Sequence, residues 1–202
     1  MDHLLHIYWA TRMPTTAYDT VVAIAKEQHG LVTTSQARQQ GVNPHTIKKM
    51  ARRGNIERVS WGVYRVPSIP LTSYSEYMEA VLWPGNDSTT ISYESALTMY
   101  GVSDVSPGRI HLTVPESYRT HRDVPKRLEL HHADLEPGDI HRIEGVPVTT
   151  FERTIRDCQR AHIGSRLLRQ AIEEGRREGY LTPDRAKRLL QEVLPGSAPG
   201  RS

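Results

Sequence analysis

The stretch Thr33-Thr34-Ser35-Gln36-Ala37-Arg38-Gln39-Gln40-Gly41-Val42-Asn43-Pro44-His45-Thr46-Ile47-Lys48-Lys49-Met50-Ala51-Arg52-Arg53 decides the fold of the first third of this 202-residue chain. Residues 33–40 predict a short helix with Thr34 or Ser35 at its N-cap, where a hydroxyl satisfies free backbone N–H groups. Gly41 suits the positive φ that ends such a helix. Asn43 can cap the next one, and Pro44 at its first position forfeits an N–H that has no helical partner anyway. Residues 44–53 predict the second helix. At about 100° per residue, Ile47, Met50 and Ala51 share one face, and His45, Lys48, Lys49 and Arg52 share the other, flanked by Thr46 and Arg53. The outward face carries cations and hydrogen-bonding groups and no carboxylate. A helix that is merely solvated usually mixes signs, and one-signed charge suits a phosphate-lined groove. The competing reading is a basic surface helix without a partner.

The next residues favour a groove. Ile56-Glu57-Arg58-Val59 and Val63-Tyr64-Arg65-Val66 alternate with the period of a half-buried strand, and Ser60-Trp61-Gly62 joins them as a tight turn. A hairpin after a basic second helix is the winged variant of the helix-turn-helix, with Arg58 and Arg65 expected beside the phosphate backbone. Trp61 is open to two readings, a cap on the domain's own core or a DNA contact. Upstream, residues 17–28 predict an amphipathic supporting helix that turns Val21, Val22, Ile24 and Ala25 inward.

Charge follows the same division. Residues 1–66 hold nine Lys or Arg against four Asp or Glu, a net of +5, whereas residues 67–202 hold seventeen against nineteen, a net of −2. The basic excess sits with the expected DNA reader. Hydrophobic residues make up 37% and charged residues 24% of the chain, the balance of a globular protein, and no run approaches the roughly 20 apolar residues that span a bilayer. The first ten residues lack the flanks of a secretory signal, Met13 is an alternative start, and a cytoplasmic location is expected. A single cysteine, Cys158, precludes an internal disulfide and reads as a buried core thiol.

The expected domains are a winged helix-turn-helix at 1–66 (1–12 being a disordered or extended start), a proline-marked linker at 67–72, an α/β domain at 73–195 and a flexible tail at 196–202. Within the second domain, residues 73–82, 90–100, 150–162, 165–178 and 185–194 predict helices. Residues 109–115, 128–132 and 145–149 predict strands of a small mixed or antiparallel sheet. The fold class is therefore α+β.

Signals for chemistry are weak. Ten histidines invite a metal reading, but adjacent His131 and His132 on a strand point to opposite faces, and no HExxH pair occurs. Ser92 and Ser95 lack a glycine-flanked elbow, and no phosphate-cradling loop is present. A restriction-like nuclease would need an acid-x-lysine strand, yet beyond Asp157 the only lysine is Lys187, in a helical pattern. No enzyme activity, metal or cofactor is expected. The basic stretch Arg109, Arg119, His121, Arg122, Lys126 and Arg127 stays open between DNA contact, protein contact and a solvated loop.

The string Gly30-Leu31-Val32-Thr33-Thr34, Gly41-Val42, Arg53-Gly54, Arg58-Val59 and Gly62-Val63-Tyr64 resembles the N-terminal domain of AbiEi-family antitoxins. The likeness continues through Ile91-Ser92-Tyr93-Glu94-Ser95-Ala96-Leu97, Tyr100-Gly101-Val102-Ser103-Asp104, Arg109-Ile110-His111-Leu112-Thr113-Val114-Pro115, Gly145-Val146-Pro147-Val148-Thr149-Thr150 and Arg153-Thr154-Ile155-Arg156-Asp157. It covers roughly residues 17–195. The resemblance implies the antitoxin of a toxin–antitoxin pair, with a nucleotidyltransferase-fold toxin as partner and a winged domain that represses the shared operon. Trp61 stands where the family pattern leads one to expect arginine. Double-stranded DNA, as repeated half-sites of the chain's own operator, is then the second partner, and no membrane is involved. The residues expected at DNA are Thr34, Ser35 and Gln36; Asn43, His45, Thr46, Lys48, Lys49, Arg52 and Arg53; and Arg58 and Arg65. The alternative is a ligand-responsive winged-helix regulator, or an enzyme, with a small-molecule site in the C-terminal domain.

Overall fold

A computed structural model describes residues 16–102, 104 and 107–194. The expected extended start at 1–12 and tail at 196–202 lie outside the described residues, as does Ser103. The chain is α+β and divides into two compact units, Met1–Leu71 and Thr72–Ser202.

The first unit runs α1 (Ala17–Lys26), β1 (Leu31–Thr33), α2 (Thr34–Gln39), α3 (Pro44–Arg52), β2 (Glu57–Ser60) and β3 (Val63–Arg65). Its three short strands form one antiparallel sheet in the order β1-β3-β2, so the expected two-stranded wing gains a third strand at Leu31–Thr33. Three residues are too few for a sequence period to show, which is why β1 escapes pattern reading. One core holds the unit together: Val21 and Ala25 of α1, Val32, Ala37, Ile47 and Met50, then Ile56, Tyr64 and Val66. The chain leaves through Val66, whose N–H donates to Gly30 O at 2.8 Å, and Ile69 packs against the same core.

The second unit carries α4 (Ser75–Leu82), β4 (Thr90–Ile91), α5 (Tyr93–Tyr100), β5 (Ile110–Val114), β6 (Leu128–His132), β7 (Ile140–Ile143), β8 (Val146–Thr149), α6 (Phe151–Arg160), α7 (Ser165–Arg177) and α8 (Pro183–Val193). Its mixed sheet has the order β6-β5-β4-β8-β7, with β5/β6 and β4/β8 parallel and the other pairs antiparallel. Two strands were not expected. Residues 90–91 read as the start of a helix but form β4 at the centre of the sheet, where sheet pairing overrides local pattern. Strand β7 joins β8 through Glu144 (φ +47) and Gly145 (φ +81), the paired left-handed conformations of a two-residue hairpin. Helix α5 ends as expected at Gly101, with φ +67.

An aromatic knot closes this unit. The Tyr100 ring meets Phe151 at 5.2 Å and Tyr180 at 4.9 Å, and its hydroxyl donates to Thr149 O at 2.9 Å. Gly175 of α7 faces that knot, and a Cβ there would run into the Phe151 ring. Cys158 is buried, and burial pushes its thiol well above the ordinary range. Ser92 and Ser95 have structural work: Ser92 Oγ accepts from Thr113 Oγ1 at 2.8 Å, and Ser95 Oγ accepts from the His111 N–H at 2.9 Å.

The histidines are less isolated than the sequence suggests. Parallel pairing sets Thr113 opposite His131, which brings His111 of β5 and His131 of β6 diagonally together on one face. His111 Nε2 lies 3.3 Å from a Glu94 carboxylate oxygen, and its Nδ1 lies 3.0 Å from His131 Nε2. The Tyr93 ring stacks on His131 at 3.7 Å, from a backbone with φ +51 that a bulky side chain rarely adopts. Among the described residues no group of three or more His, Cys, Asp or Glu could hold a metal ion.

Two outcomes follow from this packing. Gly175→Ala is expected to destabilise the second unit by about 1–3 kcal/mol, as overpacking does, measured by chemical denaturation. Burial, reinforced by the neighbouring His111, pushes His131 from 6.5 down to about 4. Its neutral form therefore supports the fold fully above pH ~6.5, and that support fades as pH falls through ~4. Between pH 7 and 4.5 the wild type should lose more stability than His131→Gln; equal losses would mean that His131 is not the titrating group.

Candidate nucleic-acid interface

The surface of α3 follows from its ends and its buried face. Asn43 Oδ1 accepts from the His45 N–H at 2.8 Å, and Pro44 occupies the first turn. Gly41, at φ +81, ends the preceding helix, and the Val42 N–H returns to Ala37 O at 2.9 Å. Ile47 and Met50 are buried in the core, with Ala51 packed at its edge. That anchorage leaves His45, Lys48, Lys49, Arg52 and Arg53 exposed, Thr46 half-buried and Asn43 exposed at the start.

None of Lys48, Lys49, Arg52 or Arg53 forms an ion pair with a described residue. No carboxylate occurs in sequence between Glu27 and Glu57. Several arginines of the second unit are the contrast. There Arg109 pairs with Glu129 at 2.6 Å, Arg127 with Glu79 at 2.6 Å, and Arg153 with Asp139 at 2.6 Å and Asp157 at 2.9 Å. The basic stretch left open above is likewise engaged at several points. Besides Arg109 and Arg127, Arg119 donates to the Glu116 and Tyr118 carbonyls, and Arg122 donates to Trp83 O and Pro84 O with its guanidinium over the Trp83 ring at 4.6 Å.

The three residues expected at the start of α2 separate. The cap is Thr33, not Thr34 or Ser35: its hydroxyl accepts from the Gln36 N–H at 3.1 Å, while Gln36 Oε1 accepts from the Thr33 N–H at 2.9 Å. The other end of the Gln36 amide donates to Gln28 Oε1 at 2.8 Å, so this side chain fastens α2 to the segment after α1. The Thr34 N–H donates to Gly62 O at 2.9 Å, tying the helix start to the wing turn. Ser35 is exposed.

The two wing arginines also differ. Register places Glu57 opposite Arg65 and Arg58 opposite Tyr64. Arg65 is half-buried and lies 3.3 Å from Glu57, whereas Arg58 is exposed, with its guanidinium over the Trp61 ring at 5.0 Å. Trp61 itself is exposed, so the reading as a core cap does not hold. A capping role for Gln36 was legible in the T-x-x-Q spacing from Thr33; the Arg65–Glu57 pair needed the strand register.

Residues 19–67 match the family model described as a transcriptional regulator, AbiEi antitoxin. The solved structure of the RV2827C protein from Mycobacterium tuberculosis is similar, with a TM-score of 0.51 at 18% identity over 85% of this chain and 69% of that one. At that identity the likeness is one of fold. No curated protein matches the chain. No described helix is long and apolar enough to cross a membrane. Over residues 19–67 the chain is thus similar to the AbiEi antitoxin, transcriptional-regulator family.

Proposed function

We propose that the first unit binds duplex DNA through α3 and the wing, and that the chain is the antitoxin and autorepressor of a toxin–antitoxin pair. The observation that carries the reading is the set of α3 cations that form no ion pair with a described residue, at the position of a recognition helix in a domain that matches an antitoxin regulator family. In this reading α3 lies in a major groove. Asn43, His45 and Thr46 reach base edges, Lys49 and Arg52 reach base edges while neutralising the flanking phosphates, and Lys48, Arg53 and Arg58 meet phosphates. Ser35 lies at the backbone beside the start of α2. Thr34, Gln36 and Arg65 serve indirectly, by holding the wing and the helices in place.

One such domain reads few base pairs, so useful selectivity calls for two copies on repeated half-sites of the chain's own operator. The second unit then supplies protection against a nucleotidyltransferase-fold toxin encoded beside it.

The joint substitution Lys49→Ala/Arg52→Ala separates the two roles. Binding to the chain's own upstream region should weaken, and the slope of log affinity against log salt should fall by about 2 per bound copy. Growth protection on co-expression with the neighbouring toxin should survive. An unchanged salt slope would remove α3 from the DNA, and lost protection would contradict the division of labour.

A further inference from the structure

Trp61 is 64% exposed, although tryptophan is highly buried on average. Its turn explains how. Gly62, at φ +72, closes the hairpin, and a register shift between Arg58 and Ser60 turns the tip outward, leaving Val59 exposed as well. The tip is held rather than loose. Arg58 Nε donates to Ser60 O at 3.3 Å with its guanidinium 5.0 Å over the indole, and Gly62 O accepts from the Thr34 N–H at 2.9 Å. The one carboxylate of the hairpin, Glu57, lies 3.3 Å from Arg65.

Resting on the DNA-binding reading above, we propose that Trp61 is an apolar wedge for the minor groove beside the major-groove site of α3. The indole packs against deoxyribose and partly enters a base step, while Arg58 meets the groove's negative potential. Charge decides the occupant. An exposed aromatic ring carrying its own guanidinium, in a unit with no acid between Glu27 and Glu57, is complementary to a polyanion and not to a basic or apolar protein face. Wedges of this kind act where steps unstack easily, so a pyrimidine–purine step is expected under the wing. A neutral ring releases no counterions, so its contribution does not depend on salt.

The test uses the full chain and a duplex carrying the sequence upstream of its own reading frame. Trp61→Ala should weaken binding about tenfold, in the range of base–aromatic stacking, with the salt slope unchanged. Trp61→Phe should stay within a few-fold of wild type, and Arg58→Ala should lower the slope by about 1. DNA should quench tryptophan fluorescence in the wild type and not in Trp61→Phe. Because the side chain is exposed, all three variants should melt with the wild type. Wild-type affinity in Trp61→Ala, or a quench that persists in Trp61→Phe, would overturn the wedge and leave the tip to another macromolecule. Absence of selective binding by the wild type would overturn the DNA-binding reading itself.

Discussion

Burial of Ile47 and Met50 in the core of the first unit is the constraint on which the rest of the domain depends. A nine-residue helix is marginal alone, and strands of three or four residues cannot stand by themselves. Two buried side chains contribute about 1.5–3 kcal/mol each, more than the local preferences of the segment. They also fix the rotation of α3. With Val21, Ala25, Val32, Ile56 and Tyr64 on one side, the cations have no choice of direction. The wing follows from the same core, because Tyr64 lies in it and Gly62 bonds to Thr34.

Several arginines of the second unit are answered by carboxylates, and those of α7 share their helix with Glu173 and Glu174, whereas the cations of α3 have no acid near them in sequence. In the second unit guanidinium groups join elements: Arg156 reaches Glu192 of α8 at 2.7 Å, and Arg153 bridges Asp139 and Asp157 of α6. The Arg156–Glu192 pair is exposed and contributes little by itself, whereas Asp157 is buried, so the Arg153 guanidinium offsets the cost of its charge. On α3 the charges remain unanswered by any described residue. Repulsion among Lys48, Lys49, Arg52 and Arg53 costs stability and has no compensating partner among the described residues. A polyanion supplies one.

Where the sequence was legible, it was because a local rule had no competitor. The Gly41–Asn43–Pro44 punctuation, the periodicity of residues 44–53 and the Gly101 stop each depend on a few neighbours in the chain. Where it was not, the deciding contact was distant. Thr90 and Ile91 are a strand only because β5 and β8 flank them. His111 and His131 meet only because two parallel strands fall into one register. The bonds that tie Thr34 to Gly62 and Gln36 to Gln28 were not legible, because helix periodicity says nothing about either partner. Arg65 looked like Arg58 until strand pairing set it against Glu57.

The most direct test of the account is a map of backbone amide shifts in the full chain on titration with its own upstream duplex. DNA binding through α3 and the wing predicts the largest changes at residues 43–53 and 58–62, with the buried positions Ile47 and Met50 moving least within α3. Changes confined to the second unit, or spread evenly over the exposed arginines of α7, would contradict it.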